Sequence, residues 1–156
     1  MLKSRGGKQM NEERPHAVRL EEVKTEFFKD GVSSTFVSNK AWDIGMYFME
    51  PEMDTIVFST EEEDDGSAEE WYGWAYEFYL VLVGEFTIWY GKDPEALRNK
   101  DGPHNVVRAG EVVSFPPGYK YLVRNTSKIP GTFFWGKSAP LKGVKMRENT
   151  PLKELE

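Results

Sequence analysis

YEFYLVLVGEFTIWY, residues 76–90, decides how the rest of the chain is read. It is dense in β-branched and aromatic residues, and Gly84-Glu85 divides it in two, so it predicts two adjacent strands joined by a hairpin or a sharp bend. Side chains alternate along a strand, which puts Glu77, Tyr79, Val81 and Val83 on one face and Phe78, Leu80 and Leu82 on the other. Downstream, the polar stretch 91–105 holds Asp93-Pro94, suited to cap and start a helical turn, and Asp101-Gly102-Pro103, suited to reverse the chain. Short runs follow at intervals of about ten residues: NVVRAGEVVSFP, YLVRNTS and TFFWGKS, separated by the turns PPGYK and KIPG. Upstream, VSSTFV, IGMYFME and DTIVFST have the same character. This rhythm predicts an all-β sandwich or barrel. Between residues 20 and 30, Leu20, Val23, Phe27 and Phe28 recur at helical spacing and stop at Asp30-Gly31, which predicts a short helix.

A length of 156 residues fits one domain, placed at 19–140, between a polar leader (1–18) and a polar, charged tail or peripheral element (141–156). The chain has no cysteine, which excludes disulfides, thiol nucleophiles, iron–sulfur clusters and cysteine zinc sites. Two histidines, His16 and His104, are too few for a three-histidine metal site within one chain. The net charge of −6 is local: residues 61–70, EEEDDGSAEE, carry seven acids, and the remainder is +1. Scattered lysines and arginines on a near-neutral body lack the footprint of nucleic-acid binding. No apolar signal core or membrane-length run occurs, so the expected location is the cytoplasm, with no membrane partner.

Two segments stand in a further relation. Gly110-Glu-Val-Val-Ser-Phe-Pro116-Pro117-Gly118 fits G-x5-P-x-G and continues to Tyr121 and Asn125, while Glu77 precedes Gly84 by six intervening residues. The pair resembles the two motifs of the cupin superfamily, G-x5-P-x-G-x2-H-x3-N and H-x-H-x3,4-E-x6-G, with tyrosine at the histidine of the former. The two histidines of the latter would fall at Trp71 and Gly73, or at Glu70 and Tyr72. The resemblance spans about residues 42–140. It implies an all-β double-stranded β-helix or jelly-roll barrel, commonly a homodimer, with a pocket in the barrel mouth. Metal-dependent cupins hold iron, manganese, zinc or nickel there through three histidines and a glutamate, of which this chain keeps the glutamate. Gly84 and Gly118 suit turns that need positive φ, and Pro116 and Pro117 surrender no needed ladder bond.

If Glu77 faces the interior as in the family, a buried carboxyl needs a partner or a proton. A metal is one answer, but the donors on offer are Glu77, Tyr121, Glu70 or Tyr72, with His104 approaching from its loop. Deprotonating a phenol of reference pKa near 10 costs about 4 kcal/mol at pH 7, so no metal and no other cofactor is expected. A second answer is a hydrogen bond to Tyr121, or a pairing with Arg124 or Arg108. Glu77 and Tyr121 are thus candidates for an acid–base pair in isomerisation, cyclisation or elimination, or they simply close a polar gap. A third answer is recognition. Trp71, Tyr72, Trp74, Tyr79 and Trp135, with Tyr76 and Tyr121, offer flat apolar surfaces with polar tips for a ring-containing ligand, or serve as core and interface. The acidic loop 61–70 reads as a solvated linker, with a lid or Ca²⁺ site as the sharper alternative, although its spacing departs from an EF-hand. His16 and His104 read as surface residues. The leading expectation is a metal-independent pocket protein binding a ring-containing metabolite as a homodimer. The alternatives are an isomerase, cyclase or lyase using Glu77 and Tyr121, and a metal-dependent oxygenase with substituted ligands.

Overall fold

The structure is a computed structural model that describes residues 17–139. His16, nearly all of the 1–18 leader and the 141–156 tail lie outside the described residues. A short 3₁₀ turn, Leu20–Glu22, precedes eleven strands and one short helix. The strands are β1 (Lys24–Phe27), β2 (Gly31–Ser38), β3 (Trp42–Met49), β4 (Phe58–Ser59), β5 (Glu70–Trp71), β6 (Glu77–Val83), β7 (Glu85–Gly91), β8 (His104–Arg108), β9 (Val112–Phe115), β10 (Lys120–Asn125) and β11 (Gly131–Ser138). Helix α1 (Pro94–Arg98) lies between β7 and β8; the Asp93 side chain accepts from the Glu95 amide and proline opens the helix, as the sequence predicted. Two sheets form, in the orders β1-β2-β3-β11-β6-β9 and β5-β4-β10-β7-β8. Their pairings are antiparallel apart from β4 with β5.

Two expectations are corrected. Residues 24–27 form a strand, because the chain turns tightly at 28–31: the Phe28 amide donates to Gly31 O (2.8 Å) and the Gly31 amide to Phe28 O (3.3 Å). Asp30-Gly31 is therefore a hairpin turn joining β1 to β2 rather than a helix stop. The halves of the 76–90 segment likewise do not pair with each other. β6 lies between β11 and β9 in one sheet, and β7 between β10 and β8 in the other. Gly84, at φ 87°, makes the corner between sheets, where a Cβ would come within 2.9 Å of the Ser127 hydroxyl. The bend is real and the hairpin is not.

Register places the interior face. Across the larger sheet, Glu26, Ser33, Tyr47, Phe133 and Val81 are opposed in one row. Thr35, Gly45, Trp135, Tyr79 and Val113 make a second, and Ser38, Asp43, Lys137, Glu77 and Phe115 a third. Directly opposed residues share a face, so these rows are the sheet's inner lining. They meet Phe58, Phe86, Ile88, Tyr121 and Val123 of the smaller sheet in one core. The alternation read from the sequence holds for β6 through Val81; Val83, at the corner, is exposed.

The motif residues away from the cavity are architectural. Gly110 and Gly118 have φ of 87° and 97°, and a Cβ on Gly118 would meet the Trp74 ring at 3.1 Å. Asn125, fully buried, donates from Nδ2 to Met49 O (3.1 Å) and Ile129 O (2.9 Å), and its Oδ1 accepts from the Ser127 amide (3.0 Å). It fastens the end of β10 to the end of β3 and to the following turn, using almost its full hydrogen-bonding capacity.

Candidate functional site

Between the sheets lies a cavity of about 70 Å³. Glu26, Ser33, Thr35, Tyr47, Tyr79, Phe133, Trp135, Lys137 and Glu77 line it from the larger sheet. Thr55, Ile56, Phe58, Glu70 and Tyr72 close it from the β4 and β5 side, and Phe28 and Asp30 from the β1–β2 turn. Trp135 fits because it opposes a glycine: a Cβ on Gly45 would sit 2.5 Å from the indole.

Glu77 is 6% exposed, and its Oε2 has no hydrogen-bond partner. Burial pushes its carboxyl up to about 8, with Lys137 opposing and Glu70 adding to the rise. Lys137, directly across the strand pair, sits 3.7 Å from the Tyr72 ring centroid and 3.7 Å from Asp43 Oδ2. The Tyr72 hydroxyl donates to Glu70 Oε2 at 2.5 Å, and the Tyr47 hydroxyl to Asp30 Oδ2 at 2.8 Å. Burial raises both Glu70 and Asp30, each against the pull of its tyrosine. Burial also lifts the Tyr72 and Tyr79 phenols well above their ordinary range, so both remain hydrogen-bond donors at neutral pH. Trp135 Nε1 is buried with no partner. The same lining thus carries two orphaned polar atoms, Glu77 Oε2 and Trp135 Nε1.

Of the residues singled out from the sequence, Glu77, Tyr72, Tyr79 and Trp135 come together here. Three do not. Tyr121 is fully buried among Phe115, Phe58 and Tyr79, off the cavity wall, and its hydroxyl finds no partner; no hydrogen bond joins it to Glu77. β10 belongs to the opposite sheet, and its register with β7 carries that ring into the core stack. Trp71 donates from Nε1 to Glu61 O (2.9 Å), and Trp74 packs on Gly118. Both brace loops. The expected arginine partners of Glu77 are engaged elsewhere, Arg124 with Asp54 (2.8 Å) and Arg108 with Glu85 (3.0 Å). His104 is exposed beside Trp89.

The acidic loop is tied down rather than simply solvated. Lys120, 2% exposed, pairs with Glu61 and with Asp65 (3.0 Å), and Glu69 holds Arg98 (2.8 Å) and the Val57 amide (2.9 Å). Asp65, which the Ser67 hydroxyl and amide and Lys120 hold well below the usual carboxylate range, is a structural anion. Carboxylates already neutralised in this way are poor calcium ligands.

The residues also fit a cupin metal poorly. At the motif positions stand Glu77, which favours its proton, Tyr121, which lies off the cavity, and Trp71, Gly73, Glu70 and Tyr72. A neutral phenol and a protonated carboxyl do not replace imidazoles. Among the described residues no group of three or more His, Asp or Glu side chains is placed to hold a metal ion.

The two sheets, their strand order and the cavity between them define an all-β barrel of the cupin, double-stranded β-helix class. Solved structures of that class superpose on the chain. The Cnp3 cupin domain of Schizosaccharomyces pombe is 12% identical with a TM-score of 0.59, covering 82% of this chain and 77% of its own. A predicted oxalate decarboxylase from Thermotoga maritima is 17% identical with a TM-score of 0.59, covering 80% and 99%. Drosophila melanogaster CENP-C bound to CAL1 is 13% identical with a TM-score of 0.55, covering 76% and 82%. No protein-family model and no curated protein sequence matches the chain. No helix among the described residues is long and apolar enough to cross a membrane.

Proposed function

We propose that the chain is a metal-independent pocket protein that takes one small ring-containing metabolite into the barrel. The observation that carries this reading is a small interior cavity walled by Tyr47, Phe58, Tyr72, Tyr79, Phe133 and Trp135, with two buried polar atoms left unpaired. An unsatisfied buried group costs about 1–3 kcal/mol, which a ligand that pairs with it recovers. Binding of small ring compounds, followed by thermal shift, tests the reading. A ligand should raise the melting temperature of the native chain and lose its effect in a Ser33→Leu variant, whose larger side chain fills the cavity. Equal shifts in both chains would place the binding elsewhere.

A second reading rests on Glu77. Held near neutrality by burial, it can give or take a proton at a bound ring, as an isomerase, cyclase or lyase requires. Tyr79, which lines the cavity, is better placed than Tyr121 to donate a hydrogen bond beside it, since the Tyr72 hydroxyl already donates to Glu70. Turnover abolished by Glu77→Gln with affinity retained would support the enzyme. The oxygenase alternative finds no support in the donor set. The partner of the whole barrel is a second copy of itself, through the outer face of the larger sheet, where Phe78, Leu82 and Val112 are exposed.

A further inference from the structure

Resting on that reading of the cavity, we infer that its ligand is a small cationic nitrogen ring, a cyclic ammonium or amidinium compound carrying an N–H donor for Glu77, and not an anion or a neutral ring. Charge is the first support. Among the described residues, Asp30, Glu70 and Glu77 place three carboxyl groups on the cavity wall beside one ammonium, Lys137. Lys137 is itself shared with Asp43 outside the lining. The second support is independent of that count. Glu77 is more than nine-tenths buried in the wall, and one of its oxygens has no partner, although hydroxyl donors serve Asp30 and Glu70 close by.

The walls supply the third support. Tyr47 and Phe133 stack at 5.5 Å between centroids and 6° between planes, and Phe133 lies 4.4 Å from Tyr79. Ring faces carry negative charge and attract cations. The cavity already shows the pairing, with the Lys137 ammonium over Tyr72. An anion entering would hold Glu77 in its protonated form and meet the negative ring faces, and a neutral ring without an N–H or O–H has no donor for the Glu77 oxygen.

Proton release is a consequence. The groups facing Glu77 are Lys137 from β11, Glu70 and Tyr72 from the β5 segment and Tyr79 from its own strand, with the apolar Phe115 opposite on β9. Lys137 alone among them favours its ionised form. A second cation at the carboxyl drives ionisation, so binding below about pH 8 expels a proton and strengthens as pH rises toward that value.

Three probes of similar size separate the possibilities: pyrrolidinium, tetrahydrofuran and cyclopropanecarboxylate. Each is titrated into the ¹⁵N-labelled full chain while the Trp135 indole N–H resonance, assigned with Trp135→Phe, is followed. Pyrrolidinium should bind at least about tenfold more tightly than tetrahydrofuran, as a charged hydrogen bond allows. Cyclopropanecarboxylate should leave the resonance unmoved. Glu77→Gln should remove that advantage without weakening tetrahydrofuran. Glu70→Gln, which keeps an acceptor for Tyr72, should reduce it as well and serves if Glu77→Gln folds poorly. Comparable binding of all three probes, or tighter binding of the carboxylate, overturns the cationic class while the pocket stands. Should no probe move the resonance, the pocket reading falls with it.

Discussion

Glu77 makes stability depend on pH in the direction opposite to an ordinary salt-bridged carboxylate. Its folded pKa, about 8, lies above the unfolded value near 4.3, so between these limits the folded state holds more proton than the unfolded state. Stability is therefore fullest below the unfolded value and falls as pH rises toward 8, by up to about 1.4 kcal/mol per pH unit from this group. Urea unfolding from pH 5 to 8.5 should show that decline, and Glu77→Gln should flatten it; parallel profiles for the two chains would place the proton elsewhere. Gly45 offers a second test, because a Cβ there would lie 2.3 Å from Ser34 O and 2.5 Å from the Trp135 ring. Gly45→Ala should destabilise by about 1–3 kcal/mol and shift the tryptophan emission as the indole moves. At this scale the sequence was legible where a period of two sufficed, and Glu77 and Tyr79 face inward as that period requires. Tyr121 was not legible. Its hydroxyl depends on how the strand of one sheet meets the other, which no local pattern records. Glu26 and Asp30 were missed because residues 20–30 fit a helical spacing, although Asp30-Gly31 was itself the signal for the hairpin that carries both to the cavity.

Among the elements, the turns and strands from Asp93 onward followed the sequence closely, since proline, glycine and alternating apolar residues marked nearly every boundary. The pairing of β6 and β7 did not. Gly84-Glu85 announces a bend, and a bend between two apolar strands describes a hairpin and a change of sheet equally well. The acidic loop was opaque for a related reason: its partner Lys120 lies 55 positions or more away from Glu61 and Asp65 in the chain. That partnership predicts how the loop behaves. Lys120→Met keeps the buried stem but removes the charge that holds Glu61 and Asp65, and leaves two carboxylates facing an apolar neighbour. The variant should lose about 1–3 kcal/mol of stability and become sensitive to a glutamate-specific protease within residues 61–63. Unchanged cleavage kinetics would show that the other tethers, Lys92 on Glu61, Arg98 on Glu69 and the Trp71 bond to Glu61 O, hold the loop without Lys120.

For the whole molecule, the two faces of the larger sheet differ in what they bury. The inner rows close on the core and the cavity. The outer face carries Ile44, Met46, Phe48, Leu80 and Phe134 half-buried beside exposed Phe78, Leu82 and Val112, with Phe36 and Phe78 ringing Phe134. The proposed two-fold pairing would cover this apolar face with an identical one, without any further protein. Leu82 and Val112 are the residues to change, because they already stand in solvent and their replacement costs the barrel little, whereas Phe78 packs over Gly136. Light scattering on the native chain at micromolar concentration should give twice 18.0 kDa, and the Leu82→Asp/Val112→Asp chain should give 18.0 kDa with an unchanged circular dichroism spectrum. Four aspartates would then meet across the two-fold axis, where like charges taken out of water cost several kcal/mol. If the native chain already scatters as 18.0 kDa up to about 100 μM, any self-association is weaker than about −5.5 kcal/mol, and the dimer proposal falls.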